Sequence, residues 1–255
     1  MCFAVALRRG AVEVEGVKGI ATAPGEARAR ASEGQVPVVA VGDGVTDWQG
    51  LAEAVGARVV VDARMLKGGH GLQRGVAGLA IGLGPGFTAG RDVDVVVETN
   101  RGSDLGRVIE SGGAEADTGR PAPVKGYADE RVIRSPGAGV FTGAARVGDL
   151  VEAGQVVGAV TPPSMPPLAA SAPAAGGKSP GASVPVAKTL EVAAPICGLL
   201  RGLALDGTEV ACCQKIGDVD PRGRSVDVRR ISDKGRAVAG GVLEAIMHWW
   251  KDRDV

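Results

Sequence analysis

Aromatic residues make up only 3% of the 255-residue chain, and histidine occurs twice. A core so poor in rings must be built from Val, Leu, Ile and Ala, within an apolar fraction of 45%. His70 falls in a glycine-rich loop and His248 beside a tryptophan pair. Neither stands in a metal-ligand spacing or a nucleophile–histidine set. Excess charge is also lacking: Lys+Arg and Asp+Glu both number 29. With no dense basic block, the chain does not read as a nucleic-acid partner, and a membrane surface is equally poorly served. No apolar run approaches the roughly 20 residues of a membrane span. The opening "MCFAVALRRG" puts its charges after a short apolar run, the reverse of a secretory leader, so a cytoplasmic location is expected. Cys2, Cys197, Cys212 and Cys213 form no CxxC pair. Adjacent Cys212 and Cys213 suit neither an ordinary disulfide nor tetrahedral metal capture. Reduced, partly buried thiols are expected, with a redox or metal-handling role for the adjacent pair as the alternative.

Glycine, by contrast, is abundant at 41 residues without a collagen-like period, so it must serve turns. Between such turns the first section of the chain reads as layers. "VPVVAV" from Val36 reads as a strand, and "TDWQGLAEAVGA" as a helix with Thr46 or Asp47 as N-cap and Gly56 as stop. "ARVVVDARM" reads as a buried strand because its apolar run is continuous. "GLAIGLG" and "DVDVVVETN" add two strands, and "SDLGRVIESGG" reads as a helix capped by Ser103 and stopped by Gly112. This order predicts an α/β fold, Rossmann-like, over residues 1–133.

An internal repeat follows. "SPGAGVFTGAARVGDLVEAGQVVGAV" from Ser135 and "APICGLLRGLALDGTEVACCQKIGDV" from Ala194 align at one offset, 59 positions (195 − 136). Pro136, Gly139, Gly148, Val151, Gln155 and Gly158 meet Pro195, Gly198, Gly207, Val210, Gln214 and Gly217. Each half, 134–160 and 188–222, shows short strands between glycine turns and cannot bury its own apolar face. The halves are therefore expected to interlock into one small barrel or sandwich. Residues 161–187 between them hold seven prolines and read as a disordered, extended tether, or else a docking peptide that folds on binding. Over 223–255, "SVDVRRI" reads as a strand. A helix then places Val238, Val242, Ile246 and Trp249 on one face, with Ser232 and Asp233 at its start. Gly240 and Gly241 weaken its middle and mark close packing or a close backbone approach.

The stretch "IGLGPGFTAG" (81–90) contains G-x-G-x-x-A at Gly84, Gly86 and Ala89, with Gly82 before it. A dinucleotide fingerprint needs a helix next, but Arg91 to Asn100 reads as a strand, so that reading fails. An anion nest of backbone N–H groups around Gly82, Gly84, Gly86 and Thr88 remains. Asp62 and Arg64 end one strand, and Glu98, Asn100 and Arg101 end another. Ligands of open α/β sheets bind beyond such carboxyl ends. These residues are either one crevice with the glycine loop or local ion pairs and turn caps.

The doubled motif resembles the barrel-sandwich hybrid of biotinyl and lipoyl carrier domains. That resemblance implies a modified lysine on the hairpin between the halves, and Lys188 in "AKTLEVAAP" lies near that place. It lacks the flanking methionines or the Asp-Lys-Ala of those carriers, so a hybrid domain used for docking or packing is expected. A wider resemblance rests on "VDARM", "IGLGPGFTAG", "VVETNRGSDLGRVI", "ADTG", "IGDVDPRG" and "ISDKGRAVAGGVLEAI". From about Ala11 to Ile246, apart from the tether, the chain resembles the YqeB-type accessory proteins of the selenium-dependent molybdenum hydroxylase system. Members usually begin with a strand, a glycine-rich turn and a helix. This chain starts after that unit, as if the start were placed late or the unit lost. The resemblance implies maturation of a molybdenum hydroxylase of the xanthine or purine type, in company with other maturation factors. The molybdenum cofactor or a nucleotide would be handled transiently, with Arg64 or Arg101 as the charge partner of its phosphate. A nucleotide-dependent oxidoreductase or transferase is the alternative.

Overall fold

The computed structural model describes residues 2–41, 47–64, 72–163 and 188–251. The chain forms two compact units, Met1–Gly119 with Arg229–Val255, and Arg120–Val228. It is a mixed α/β protein of several small sheets with a C-terminal helix, and among the described residues no sheet closes into a barrel.

The first unit runs through α1 (Ala6–Arg9), β1 (Ala11–Val14), β2 (Val17–Ala21), α2 (Ala27–Ser32), β3 (Val36–Val38), α3 (Trp48–Val55), β4 (Val59–Asp62) and β5 (Leu79–Leu83). It continues with β6 (Thr88–Ala89), β7 (Val95–Val97), β8 (Val108–Ile109) and β9 (Gly112–Gly113). Strands β4, β5 and β7 are parallel, and β8 closes that sheet antiparallel to β7. Alternation along β5 sends Leu79 and Ile81 to one face and Ala80 to the other. One face meets Phe87 and Val93; the other meets the C-terminal helix. In α3 the Asp47 carboxylate accepts from the Gly50 N–H at 2.7 Å, and Gly56 ends the helix at φ 65°. Asp47 is therefore the cap, and Thr46 lies outside the described residues. Strand β4 is the sheet edge, so Val61 is exposed where the apolar run predicted burial.

Two elements differ from the sequence reading. Ser103–Gly112 is not a helix but a turn leading into β8 and β9. Gly106 sits at φ 87° with its Cα against the Ala237 carbonyl, a conformation no helix contains. Leu105 and Val108 gain more by packing under the C-terminal helix than the Ser103 cap signal offers. Ser225–Ile231 joins no sheet. Val226 and Val228 are half-buried as the alternation requires, but β-structure also needs a neighbouring strand to complete its hydrogen bonds.

The last helix of this unit, which we number α4 (Asp233–Lys251), starts where the Ser232 hydroxyl accepts from the Gly235 N–H at 3.0 Å. Val238, Val242, Ala245, Ile246 and Trp249 form its sheet-facing stripe. A Cβ on Gly241 would overlap the Gly106 carbonyl, whereas Gly240 faces open space. His248 is exposed in the last turn.

The second unit carries the repeat. Strand β10 (Val132–Arg134) precedes β11 (Gly139–Gly143), β12 (Leu150–Val151) and β13 (Val156–Thr161); β14 (Leu190–Ala193) precedes β15 (Gly198–Leu203), β16 (Glu209–Val210) and β17 (Lys215–Asp220). Two four-stranded antiparallel sheets result, ordered β10-β17-β15-β12 and β14-β13-β11-β16. Each repeat thus lends its short middle strand and its leading strand to the other. Phe141, Val157 and Val160 of one half meet Leu200, Ile216 and Val219 of the other in a single buried core. The hydrogen bonds repeat as well. Gly148 N–H donates to Leu200 O at 2.8 Å, and Gly207 N–H to Phe141 O at 2.9 Å. Gln155 and Gln214 each accept, through the side-chain oxygen, from the backbone three residues earlier. The proline-rich residues 164–187 lie outside the described residues.

At Gly139 and Gly198 a Cβ would strike the carbonyls of Thr161 and Asp220, the same backbone contact twice. Backbone at a sheet centre cannot yield cheaply. Gly198→Ala should therefore cost about 2 kcal/mol in urea unfolding. A loss below a few tenths would show that strands β15 and β17 can move apart at this point.

Candidate functional site

Parallel pairing brings three strand ends together. Register sets Asp62 beside Gly82 and Leu83 beside Val97, so Asp62, the glycine loop and Glu98 share the carboxyl edge of the sheet. Each is held locally. The buried Asp62 carboxylate accepts from the Arg64 backbone N–H at 3.0 Å and from its guanidinium at 2.5 to 3.1 Å. The Arg64 guanidinium also lies 4.7 Å over the Trp48 ring. Met65 and His70 lie outside the described residues.

Gly82 belongs to β5 and leaves room for the Phe87 side chain. Gly84 (φ 76°) packs against the Thr99 hydroxyl, and its N–H donates to Val97 O at 2.9 Å. Gly86 is also left-handed, at φ 103°. The Thr88 N–H donates to the Asp92 carboxylate at 2.9 Å, and Arg91, hydrogen-bonded to Asp92, holds that carboxyl below its usual range. Two of the N–H groups of the expected nest are thus already engaged. No helix follows the loop, as the sequence indicated.

Glu98 organises the other side. One carboxylate oxygen accepts from the N–H groups of Thr99 and Asn100, the other from Glu115, each at 2.7 Å. The Asn100 amide reaches Glu115 at 2.5 Å. Arg101 pairs with Asp233 through two bonds of 2.6 and 3.0 Å, which fastens the loop to the start of α4. Lys234 stands in the same group. Burial lowers its pKa, the nearby Arg101 charge lowers it further, and Glu98 opposes both. A cleft of about 360 Å³ opens beside Glu98, lined also by Asp104, Arg107, Glu110 and Glu115. The arrangement can hold a polar, charged group; among the described residues no three His, Cys, Asp or Glu converge on a metal-sized space.

Asp233 and Lys234 escaped the sequence reading as site residues, although "ISDKG" marked a helix start. They lie more than 130 residues from Arg101, and only the packing of α4 brings them there. Asp220 and Arg222 were missed as well. Asp220, buried at the end of β17, accepts from Arg222 N–H, Nε and Nη2 at 3.0, 2.9 and 2.7 Å, and from Arg201 at 3.2 Å. The backbone bond and the guanidinium fork repeat those of Asp62 and Arg64. Burial alone would push the Asp220 carboxyl up; Arg222, its backbone N–H and Arg201 together hold it below the usual range. Lys188 is exposed just before β14. Strands β13 and β14 pair directly at Val160 and Leu190, with residues 162–189 as their connection, so Lys188 sits on no tight hairpin. The thiols expected to be partly buried are all exposed: Cys2 stands near the chain start, and Cys197, Cys212 and Cys213 lie on turns and bends of the second repeat.

No family model matches the chain. The chain is 39% identical over 248 residues to the uncharacterized protein YqeB of Escherichia coli (strain K12), a match covering 97% of the chain and 40% of that protein. The chain therefore spans well under half the length of this relative. A solved aspartoacylase family protein from Mesorhizobium loti shares 19% identity over 36% of the chain and 23% of its own, at a TM-score of 0.24, too slight a likeness to inform fold or function. The likeness to YqeB supports the resemblance drawn from the sequence motifs.

Glu98→Ala would strand three backbone N–H groups, at about 1 kcal/mol or more each, and should cost about 3 kcal/mol in denaturant unfolding, with Glu98→Gln costing less. Equal losses for the two variants would mean that volume, not hydrogen bonding, sets the cost. Asp220→Asn should cost about 3 kcal/mol at pH 7 by leaving two arginines short of a partner. A depressed folded pKa gives stability that is complete above the unfolded value near 4 and is lost as pH falls through the folded value. The gap between wild type and Asp220→Asn should accordingly narrow below about pH 4; a constant gap there would assign it to packing alone.

Proposed function

We propose that the protein is an accessory factor in the maturation of a molybdenum hydroxylase of the xanthine or purine type, one that assists preparation or insertion of the hydroxylase cofactor. The reading rests on the six motifs shared with the YqeB-type family, and the observation that supports it most is the 39% identity to YqeB across 97% of the chain. In this reading the parallel sheet of the first unit is Rossmann-like, and its carboxyl edge receives the anionic part of a pterin or nucleotide. Arg101 and Lys234, at the start of α4, supply the positive charge, and the Glu98 bracket keeps the loop between them in shape. The second unit, with its exchanged strands, is a barrel-sandwich hybrid without a modified lysine and serves docking. Selenium enters only through the family resemblance.

Deletion of the gene in its host tests the reading. Purine and xanthine hydroxylation should fall while the hydroxylase protein level stays normal. Molybdenum bound to the purified hydroxylase then separates failed insertion from a later step. Full hydroxylation with normal metal content would sink the maturation role.

A further inference from the structure

The turn between β16 and β17 carries two adjacent thiols that the maturation reading does not use. Cys212 and Cys213 are both free and exposed, with their sulfur atoms 3.6 Å apart. The fold fixes this turn from several sides. Cys213 N–H donates to Ser135 O at 2.9 Å, Arg134 donates to Cys213 O at 3.3 Å, and Ala211 N–H donates to the Gln214 side chain at 2.7 Å. The equivalent turn of the first repeat is built the same way, with Gly154 N–H on Ala194 O at 2.8 Å. The residues differ at three positions, Glu152, Ala153 and Gly154 against Ala211, Cys212 and Cys213, and the last of these carries the unusual backbone. Gly154 has φ 82°, and its counterpart Cys213 takes φ 62°, a left-handed conformation disfavoured for a residue with a Cβ. A strained cysteine stands where glycine satisfies the same backbone, and such retained strain points to use of the side chain.

The sulfur separation indicates which use. Two thiolates on one tetrahedral ion, each about 2.3 Å from it, lie about 3.8 Å apart. The observed spacing is close to that, against the expectation that adjacent cysteines do not suit tetrahedral capture, whereas a disulfide needs about 2.0 Å. Among the described residues no third His, Cys, Asp or Glu completes the set. Hard oxygen-seeking ions need more ligands than this, and soft ions accept two sulfurs. We infer that Cys212 and Cys213 form a two-thiolate chelating site for a soft, thiophilic metal ion, whose remaining positions stay open to an outside ligand. Binding is an exchange without oxidation: two S–H bonds break, two metal–sulfur bonds form, and two protons pass to solvent. Cys197 is engaged elsewhere, donating to Glu152 at 3.1 Å, and serves as a control.

Cadmium(II) is the probe, titrated into the reduced full chain and followed by thiolate-to-metal charge-transfer absorption. One ion per chain with two protons released is expected. Cys213→Gly restores the residue type of the first repeat, so its thermal transition should stay level or rise. Its cadmium affinity should fall about a hundredfold or more, because the second ligand's effective concentration is lost. Cys197→Ser should bind as wild type does. Unchanged affinity in Cys213→Gly, or one ion shared between two chains, would overturn the site. Neither result bears on the deletion phenotype, so the two proposals fail separately.

Discussion

Helix α4 meets the sheet through backbone as much as through side chains. Gly241 lies against the Gly106 carbonyl, and Gly106 lies against the Ala237 carbonyl. No larger residue fits at either contact. The arrangement follows from an aromatic-poor composition: aliphatic side chains fill a core only if the elements approach closely. That approach sets the position of the first turn of α4, and with it Asp233 and Lys234. The Arg101–Asp233 pair and the proximity of Lys234 to Glu98 are consequences of a glycine contact two helical turns away. The candidate site of the first unit is in this sense a by-product of helix packing.

The second unit solves the same shortage of bulk by symmetry. Neither repeat has enough apolar surface to cover itself, so each gives two strands to the other's sheet, and Phe141 and Leu200 close over one core. Two copies of one sequence pattern then make matching turns, and the two turns serve as internal controls for each other. What the turns share, such as the Gln155 and Gln214 acceptors, is explained by folding alone. What they do not share is not. The step from Gly154 to Cys213 lies in that second group.

Much of this was legible in the residues. The repeat offset, the α3 and α4 boundaries, the parallel strands and the missing helix after the glycine loop all come from local signals: caps, stops, continuous apolar runs and period. The misreadings share one cause. "SDLGRVIESGG" has a cap, a stop and a helical pattern, but Gly106 is needed at a contact with α4, more than 130 residues away. "SVDVRRI" alternates well, but no strand lies alongside it. The site divides similarly. Asp62, Arg64, Gly82, Gly84, Gly86, Thr88, Glu98, Asn100 and Arg101 could be named because strand ends are visible in sequence. Asp233, Lys234 and Glu115 could not, because their neighbourhood exists only after the chain has folded.

The doubled Asp-x-Arg arrangement separates the two arginines named as anion partners. Asp62–Arg64 and Asp220–Arg222 share the same backbone bond and the same fork, at strand ends in different units. Such recurrence marks a device for ending a strand with a buried carboxylate satisfied, not a ligand signature. An anion drawing Arg64 away would leave the Asp62 charge buried and short of its partner, a heavy cost. Arg101 faces a lighter one. Its partner Asp233 is 72% exposed, and water readily replaces a partner at such a surface pair. Exchange of Asp233 for a phosphate oxygen would also leave the phosphate near Lys234 and the start of α4, where the helix dipole favours it. Recruiting Arg101, beside Lys234, would therefore cost an anionic ligand on this sheet edge less than recruiting Arg64.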